Sequence, residues 1–376
     1  MKIKNIITCA IAALTLCSSG YAGPVIDLNQ NENFKQDAVK LTNLLNNKVS
    51  SSPSEDVSSP AMKLIEAIKN ENFSAIEMYM ESLGKFDINE QDELGYTALM
   101  WAIAMPRLGS VSRRLAYYSD ITVKDRKGRN ALMWAIKKKK WETVNEIINN
   151  LIYHEQYEEF NAQDEDGNTA MVYATWEHDN NAIERLLNIT DAEGNYVVIL
   201  NPLELKEYPK NGSYAVTHTL SKYDGGRILK MFIDARDKDG NYRVDLNYID
   251  NAGYTLLSKA SRLGFFENVK MLFNAKDDEG NYRLTNINSP HFEENPLMQA
   301  IAAGDITIMD YLLSARDKDG NLRINLDTKL DRNASYYLPN RTLVQLNEGD
   351  TILDIAIKSK QDNVIAYLVF VGTLRK

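Results

Sequence analysis

Apolar and polar positions along the chain follow one frame that recurs from residue 62 to residue 356. A residue able to cap a helix is followed two positions later by an apolar residue and five positions later by a small one. The cap positions are Thr97, Asn130, Thr169, Tyr214, Thr255, Asn295 and Thr351, with Met62 as a degenerate first copy. The small residues are Ala67, Ala102, Ala135, Ala174, Thr219, Ala260, Ala300 and Ala356. Because Thr and Asn accept a backbone hydrogen bond at a helix start and alanine permits close approach, each copy predicts a short helix packed against the next.

A turn precedes the predicted helices and a second apolar pattern follows them. Asp92, Asp125, Asp164 and Asp250 each stand three residues before a glycine, a spacing typical of tight turns. Beyond each small residue, segments such as NAIERLLNI and NVKMLFNA repeat apolar positions at helical spacing. Each unit is therefore predicted to be a helix, a turn, a second helix and an extended finger.

These units resemble the ankyrin repeat, whose core runs Gly, any residue, Thr-Pro-Leu-His, any residue, Ala. The segments GYTALMWAI, GNTAMVYAT and AGYTLLSKASRLGFFENVKMLF carry the resemblance, which extends over residues 58–376 and about eight units. The Thr-Pro pair is absent, and the family histidine is replaced by Met100, Met133, Val172 and Ser258. The resemblance implies a mainly α fold, an ankyrin-type helical solenoid of divergent repeats.

A second motif recurs between the later units. ARDKDGNYRVDLN begins at Ala235, and close copies place Gly280 and Gly320 at 40-residue intervals after Gly240. A calcium loop with Gly240 at its sixth position would have Ala235 first and Leu246 twelfth, where an oxygen ligand and a bidentate glutamate are required. Asp-Gly followed by residues that favour extended backbone instead predicts β-hairpins inserted into the fingers. A longer departure, 327–346, is expected to extend the finger before the last unit.

The N-terminal region has a different composition. Residues 1–22 combine Lys2 and Lys4, an apolar run and small residues at 20 and 22, which predicts a signal peptide cleaved after Ala22. Its apolar run is too short to span a membrane. Residues 23–57 are predicted to be an N-terminal segment and a Ser/Pro-rich linker, followed by the repeat solenoid over 58–376. We expect a periplasmic or secreted protein; a lipoprotein tethered through Cys17 is the alternative.

The chemistry of the chain favours binding over catalysis. Both cysteines, Cys9 and Cys17, lie in the predicted signal, and no catalytic His or Ser motif occurs. We therefore predict no enzyme activity, no cofactor and no metal site. The net charge of -9, without a basic tail, argues against nucleic acid or an anionic membrane as partner. An aromatic series at one frame position, one residue before the small residue, is predicted to belong to the core: Trp101, Trp134, Tyr173 and His218.

The resemblance also implies where a partner binds, because finger tips and the exposed side of the first helix line the concave face of ankyrin solenoids. In this chain those positions hold Tyr96, Arg126, Arg129, Lys137, Lys138, Trp176, Lys222, Tyr254, Arg262 and Phe292. Arginine and large aromatics are enriched at interface hot spots, so we expect a protein partner with an acidic and partly apolar patch. The chain itself is expected to be a monomer.

Two alternative functions remain open on sequence grounds. One is a calcium-stabilised binding module that uses the Asp-Gly hairpins. The other is an accessory protein that protects or delivers a periplasmic enzyme. The exported scaffold for protein–protein interaction is the favoured hypothesis, because a stacked array forms an extended binding surface without any ligand.

Overall fold

The computed structural model describes residues 58–201, 205, 215–220, 224, 226–338 and 340–374. The predicted signal, the N-terminal segment, both cysteines, Tyr214 and Lys222 lie outside the described residues. Within the described ranges, no helix is long and apolar enough to cross a membrane.

The described residues form a helical solenoid of eight consecutive helical units. The first four units pair α1 (Pro60–Lys69) with α2 (Phe73–Met80), α3 (Ala98–Ala104) with α4 (Gly109–Tyr118), α5 (Ala131–Lys137) with α6 (Trp141–Tyr153), and α7 (Ala170–Trp176) with α8 (Asn180–Leu187). In the fifth unit the first helix is a 3-10 turn (Ala215–Thr219), followed by α9 (Arg227–Asp234). The last three units pair α10 (Leu256–Leu263) with α11 (Phe266–Phe273), α12 (Pro296–Ala303) with α13 (Ile306–Ser314), and α14 (Ile352–Lys358) with α15 (Asp362–Leu374). A further 3-10 turn, Tyr157–Asn161, follows α6.

The predicted capping residues begin the helices. The Thr97 hydroxyl accepts from the Met100 backbone N–H, and Thr169 and Thr255 act in the same way three residues ahead. Asn130 and Asn295 accept through their amide oxygens. Each bond satisfies a backbone donor that has no partner within the helix.

The first unit departs from the predicted frame. Met62 is not a cap: α1 begins at Pro60, and the Ser59 hydroxyl accepts from the Met62 backbone N–H. Proline at the first helical position and serine before it supply a complete start signal, which places the helix start earlier than the alanine spacing predicted.

The frame alanines lie in the core, and neighbouring first helices pack against one another along the array. Ala102, Ala135, Ala174, Ala260 and Ala300 are fully buried. Their small side chains allow the close approach that the repeating sequence predicted, since a larger side chain would hold two backbones apart.

The Asp-Gly segments form hairpins, but each has only one bridge pair. Arg236 pairs with Tyr242, Lys276 with Tyr282 and Arg316 with Leu322, and an earlier copy joins Thr190 to Tyr196. Gly240 closes its turn with φ of 87°, a backbone conformation that side chains other than glycine rarely adopt. These loops are therefore tight turns held by one bridge rather than strand pairs.

The longer insertion forms a two-stranded antiparallel sheet. Strand β1 (Ala334–Tyr337) pairs with β2 (Leu343–Leu346) in the register Ala334 to Leu346 and Tyr337 to Leu343. We call residues 334–346 the C-terminal hairpin. It lies within the insertion 327–346 that the sequence predicted as an extended finger.

Candidate functional site

Aromatic side chains from successive first helices and finger tips lie in edge-to-face contact. Tyr96 contacts both Trp101 and Trp134, with ring centroids 5.4 and 5.3 Å apart. Further along the chain, Trp176 contacts Tyr173 at 5.3 Å and His218 at 5.1 Å. We call these six side chains the aromatic row. Edge-to-face geometry is favourable because the positive ring edge meets the negative ring face.

Turn aspartates form hydrogen bonds with three side chains of the aromatic row. Asp92 accepts a hydrogen bond from the Trp101 Nε1–H at 2.8 Å, and Asp125 accepts one from Trp134 at 3.0 Å. In the next unit the Tyr173 hydroxyl donates to Asp164 at 2.7 Å. The same carboxylates also accept backbone N–H groups of their own turns. In each of these three units one carboxylate therefore fixes both the finger turn and an aromatic side chain of the first helix.

The pKa of Asp125 indicates that this arrangement favours the charged carboxylate. Burial acts to raise the pKa of Asp125, but hydrogen bonds from Arg129, the backbone and Trp134 outweigh it and lower the pKa below its usual value. In the adjacent unit, burial and the hydrogen bond to Asp164 raise the pKa of the Tyr173 hydroxyl. Tyr173 therefore stays neutral and acts as a donor.

Arg129 is buried and serves the fold, which corrects its assignment as a partner-binding residue. Its guanidinium lies 2.6 Å from Asp125, 8% of the residue is exposed, and its carbon is 4.3 Å from the Trp134 ring centre. Arg129 lies on the finger, but its side chain pairs with the Asp125 carboxylate of the same finger instead of extending to the surface. A charged side chain next to a buried carboxylate is held there by the cost of leaving either charge unpaired.

The lysines of the third unit remain at the surface beside the aromatic row. Lys137 and Lys138 are exposed, and so is Arg126 on the preceding finger. The Lys138 ammonium lies 5.8 Å from the Trp134 ring centre, and that of Lys137 lies 5.6 Å from Tyr173. Among the described residues, no carboxylate forms an ion pair with these three cations. Their charges are therefore available to a partner.

At the other end of the array, the C-terminal hairpin covers part of the predicted face. Phe292 is 1% exposed because the Tyr336 ring stacks on it at 4.8 Å. Arg262 donates to the Tyr337 carbonyl at 2.6 Å and lies 5.2 Å from the Tyr336 ring centre. Phe292 is therefore part of the core, a second correction, and Arg262 is engaged by the chain's own hairpin.

The remaining predicted residues differ in exposure. Trp176 is 38% exposed, and Tyr96 and Tyr254 are half-buried. Lys222 lies outside the described residues. Of the rings expected in the core, Tyr173 is buried, whereas Trp101 and Trp134 are only half-buried and reach the surface. The edge-to-face row they form was not predicted, because the frame shows spacing along one helix and not contacts between units.

The Asp-Gly loops use their carboxylates internally. Asp237 accepts the backbone N–H groups of Asp239 and Asn241 and the side-chain amide of Asn241. Within the part of the chain that the structure describes, no group of three or more His, Cys, Asp or Glu side chains is placed to hold a metal ion. The Asp237 carboxylate therefore closes its own loop through hydrogen bonds, whereas a calcium loop directs its carboxylate oxygens at the ion.

Comparisons with known proteins find the same repeat. The family model described as "Ankyrin repeats (3 copies)" matches residues 64–152 and 111–198. Among solved structures, the ankyrin repeat domain of Bcl-3, a member of the IkappaB protein family, is 18% identical with a TM-score of 0.47, covering 69% of this chain and 99% of that chain. No curated protein matches the chain.

Two bacterial structures are also similar to this chain. An ankyrin repeat domain from Acinetobacter baumannii AYE is 21% identical with a TM-score of 0.43, covering 56% of this chain and 96% of that chain. The structure of the Bd0816 predatory endopeptidase from Bdellovibrio bacteriovorus with immunity protein Bd3460 contains a chain that is 19% identical with a TM-score of 0.39. That match covers 55% of this chain and 95% of the other. Residues 64–198 therefore carry ankyrin repeats, and the last three units are further helix pairs of the same array.

Proposed function

We propose that the chain is an exported scaffold that binds another protein through the surface formed by the aromatic row and the cations beside it. Ankyrin repeats generally act as protein–protein interaction scaffolds and are typically not enzymes. The observation that carries the proposal is that Lys137 and Lys138 lie beside the rings of Tyr173 and Trp134. These two lysines and Arg126 on the preceding finger are exposed and have no carboxylate partner among the described residues. We call these three cations and the aromatic row the binding face.

The composition of this face indicates the chemistry of the partner. The chain carries 52 acidic against 43 basic side chains, yet these exposed positions of the third unit are cationic. Such a local reversal of charge steers an acidic surface toward the face and disfavours a basic one. Trp176 adds an exposed ring of the kind that contributes strongly when buried in an interface. The partner we propose therefore has carboxylates beside an apolar patch.

In ankyrin solenoids the exposed side of the first helices and the finger tips line the concave surface, and we assign the binding face to that surface. Three rings of the face, those of Trp101, Trp134 and Tyr173, are fixed by hydrogen bonds to turn aspartates, so binding orders few additional side chains at these positions. Preorganisation of this kind lowers the entropic cost of association. The N-terminal sequence adds export to the proposal, with a periplasmic or secreted destination.

The test is a comparison of two charge-reversal variants of equal net charge. Lys137→Glu/Lys138→Glu reverses the binding face, and Lys238→Glu/Lys318→Glu makes the same change at exposed positions of two Asp-Gly loops. Each tagged protein is incubated with the native envelope fraction, and captured proteins are quantified by mass spectrometry. We expect one protein to be captured equally by the wild type and by Lys238→Glu/Lys318→Glu. The captured amount of that protein should be at least about tenfold lower with Lys137→Glu/Lys138→Glu. Equal capture by all three proteins would refute the assignment.

A further inference from the structure

The C-terminal hairpin has one face buried on the solenoid and one face open. Tyr336, Val344 and Leu346 point into the core and are at most 6% exposed. On the opposite face, Tyr337 is 63% exposed and Leu343 is 44% exposed. These two residues are direct cross-strand partners in the register. Their side chains therefore form a single apolar pair at the surface of a short two-stranded sheet.

This pair lies next to a helix of the solenoid that already bears cations. The Tyr337 backbone carbonyl accepts from Arg262, which stands on α10 three residues after Lys259. The α10 sequence LLSKASRL contains these two cations and no acidic residue, and Lys259 pairs with Asp250 of the preceding finger at 3.1 Å. Arg262 and Phe292 were predicted as contact residues from the repeat frame, and the hairpin occupies the surface they would have formed. Where the hairpin covers Arg262 and Phe292, the exposed apolar side chains are therefore those of Tyr337 and Leu343.

The charge of the hairpin matches that of the binding face. The hairpin contains Arg341 and no Asp or Glu, in a chain of net charge -9, and Arg332 precedes it directly after Asp331. Arg332 lies 4.0 Å from Glu293, whereas Arg341, exposed in the loop between the strands, has no carboxylate partner among the described residues. The open apolar pair and the exposed Arg341 resemble in composition the binding face, where Lys137 and Lys138 lie beside the rings of Tyr173 and Trp134. Both surfaces complement a patch that combines carboxylates with apolar groups.

Building on the proposed function, we propose that the open side of the C-terminal hairpin is a second contact element for the same class of partner, an acidic protein surface with exposed apolar side chains. Tyr337 and Leu343 supply the apolar contact and Arg341 supplies the charge. In this role the hairpin makes the partner contact that was predicted for Arg262 and Phe292, the two residues that it covers. The partner is then contacted both by the solenoid and by an element inserted into it.

The experiment uses a labelled acidic copolymer of glutamate and tyrosine as a defined probe, with polyglutamate as the probe that lacks rings. Binding to the full-length protein is measured by fluorescence anisotropy for the wild type and three double variants. Tyr337→Ser/Leu343→Ser removes the open pair, and Lys137→Glu/Lys138→Glu reverses the binding face. Tyr117→Ser/Tyr153→Ser removes two tyrosines that are 64% and 83% exposed on the second helices, and serves as the matched control. Circular dichroism verifies that each variant is folded.

We expect the hairpin variant to bind the glutamate–tyrosine copolymer at least about fivefold more weakly than the wild type, because an interface anchor is lost. Polyglutamate binding should be unchanged in that variant, and the tyrosine control should match the wild type with both probes. If only the lysine variant loses binding, the hairpin inference is overturned while the proposed function stands. If neither variant differs from the wild type and the control, both fail.

Discussion

The guanidinium carbon of Arg283 lies 3.5 Å from the centre of the Tyr242 ring in the preceding Asp-Gly loop. The same group donates to the Ile233 carbonyl at 2.6 Å and to the Val244 carbonyl at 2.9 Å. The contact recurs along the array, with Arg243 over Tyr196 at 4.4 Å and Arg323 over Tyr282 at 3.4 Å. An arginine of each later loop thus stacks on the tyrosine of the loop before it.

This ladder predicts a specific loss of stability. Arg283→Ala removes a stacked cation and leaves two backbone carbonyls without their donor, so we expect the free energy of unfolding to fall by about 2 kcal/mol. Arg316→Ala is the control, because Arg316 is exposed at a bridge position of the next loop and stacks on no ring among the described residues. Urea unfolding followed by circular dichroism compares them. Equal effects of the two substitutions would show that the ladder contributes nothing.

Much of the fold could be predicted because it is set by local signals. Caps such as Thr97, the buried alanines and the Asp-Gly turns each depend on residues within a few positions of one another. The burial of Phe292, one of the two corrected site residues, depends instead on a distant residue. Phe292 is buried by Tyr336, and no spacing in the repeat frame indicates that a later insertion folds back onto that finger.

Arg129 illustrates a second reason why site residues could not be predicted from the sequence pattern. Its frame position is that of a finger-tip residue, and Arg126 and Lys137 show that neighbouring positions do reach the surface. Whether an arginine extends outward or pairs with a nearby carboxylate depends on side-chain direction, which a one-dimensional pattern does not contain. Asp125 was visible in the sequence only as a turn residue, although it also binds Arg129 and Trp134.

The Asp-Gly loops are expected to be independent of calcium. Asp239→Asn/Asp319→Asn should leave the fold and the melting temperature unchanged, because the carboxylates that hold these turns are Asp237 and Asp317. Asp237→Ala should lower the melting temperature relative to the Asp239→Asn/Asp319→Asn variant, since three N–H donors lose their acceptor. Melting curves with and without millimolar calcium provide the measurement. Strong stabilisation of the wild type by calcium, absent in the double variant, would support a calcium module instead.

His218 predicts a pH dependence of stability on the acid side. Burial, together with the charge of Lys259 and the effect of His178, lowers the pKa of His218 from 6.5 to about 4. Between these values the unfolded chain binds the proton and the folded chain does not, so stability falls as the pH decreases from about 6.5 toward 4. The loss from pH 7 to pH 5 should be about 2 kcal/mol.

The variant His218→Gln isolates this contribution. Urea unfolding at pH 7 and pH 5 should show a smaller difference for the variant than for the wild type, whatever its stability at pH 7. The Asp125 carboxylate, whose pKa is lowered, loses its stabilising charge only at more acidic pH and does not obscure the comparison. Parallel pH profiles for the two proteins would contradict the assignment to His218.

Export predicts the start of the mature chain. Cleavage after Ala22 gives a protein that begins at Gly23 and contains no cysteine, because Cys9 and Cys17 are removed with the signal. Intact-mass spectrometry of the exported protein measures this directly. A mature chain that begins at a lipid-modified Cys17 would establish a membrane-tethered form and exclude the free one.

The central claim is that the binding face contacts a protein partner, and site-specific photocrosslinking in the native cell tests it most directly. A photoreactive amino acid replaces Lys138 or Trp176 on the face, Lys238 on an Asp-Gly loop, or Tyr153 on a second helix, all of which are exposed. We predict that the two face positions crosslink to the same protein and that positions 153 and 238 do not. A crosslinked partner found only from position 153 or 238 would contradict the assignment and place the contact on the second helices or on the inserted loops.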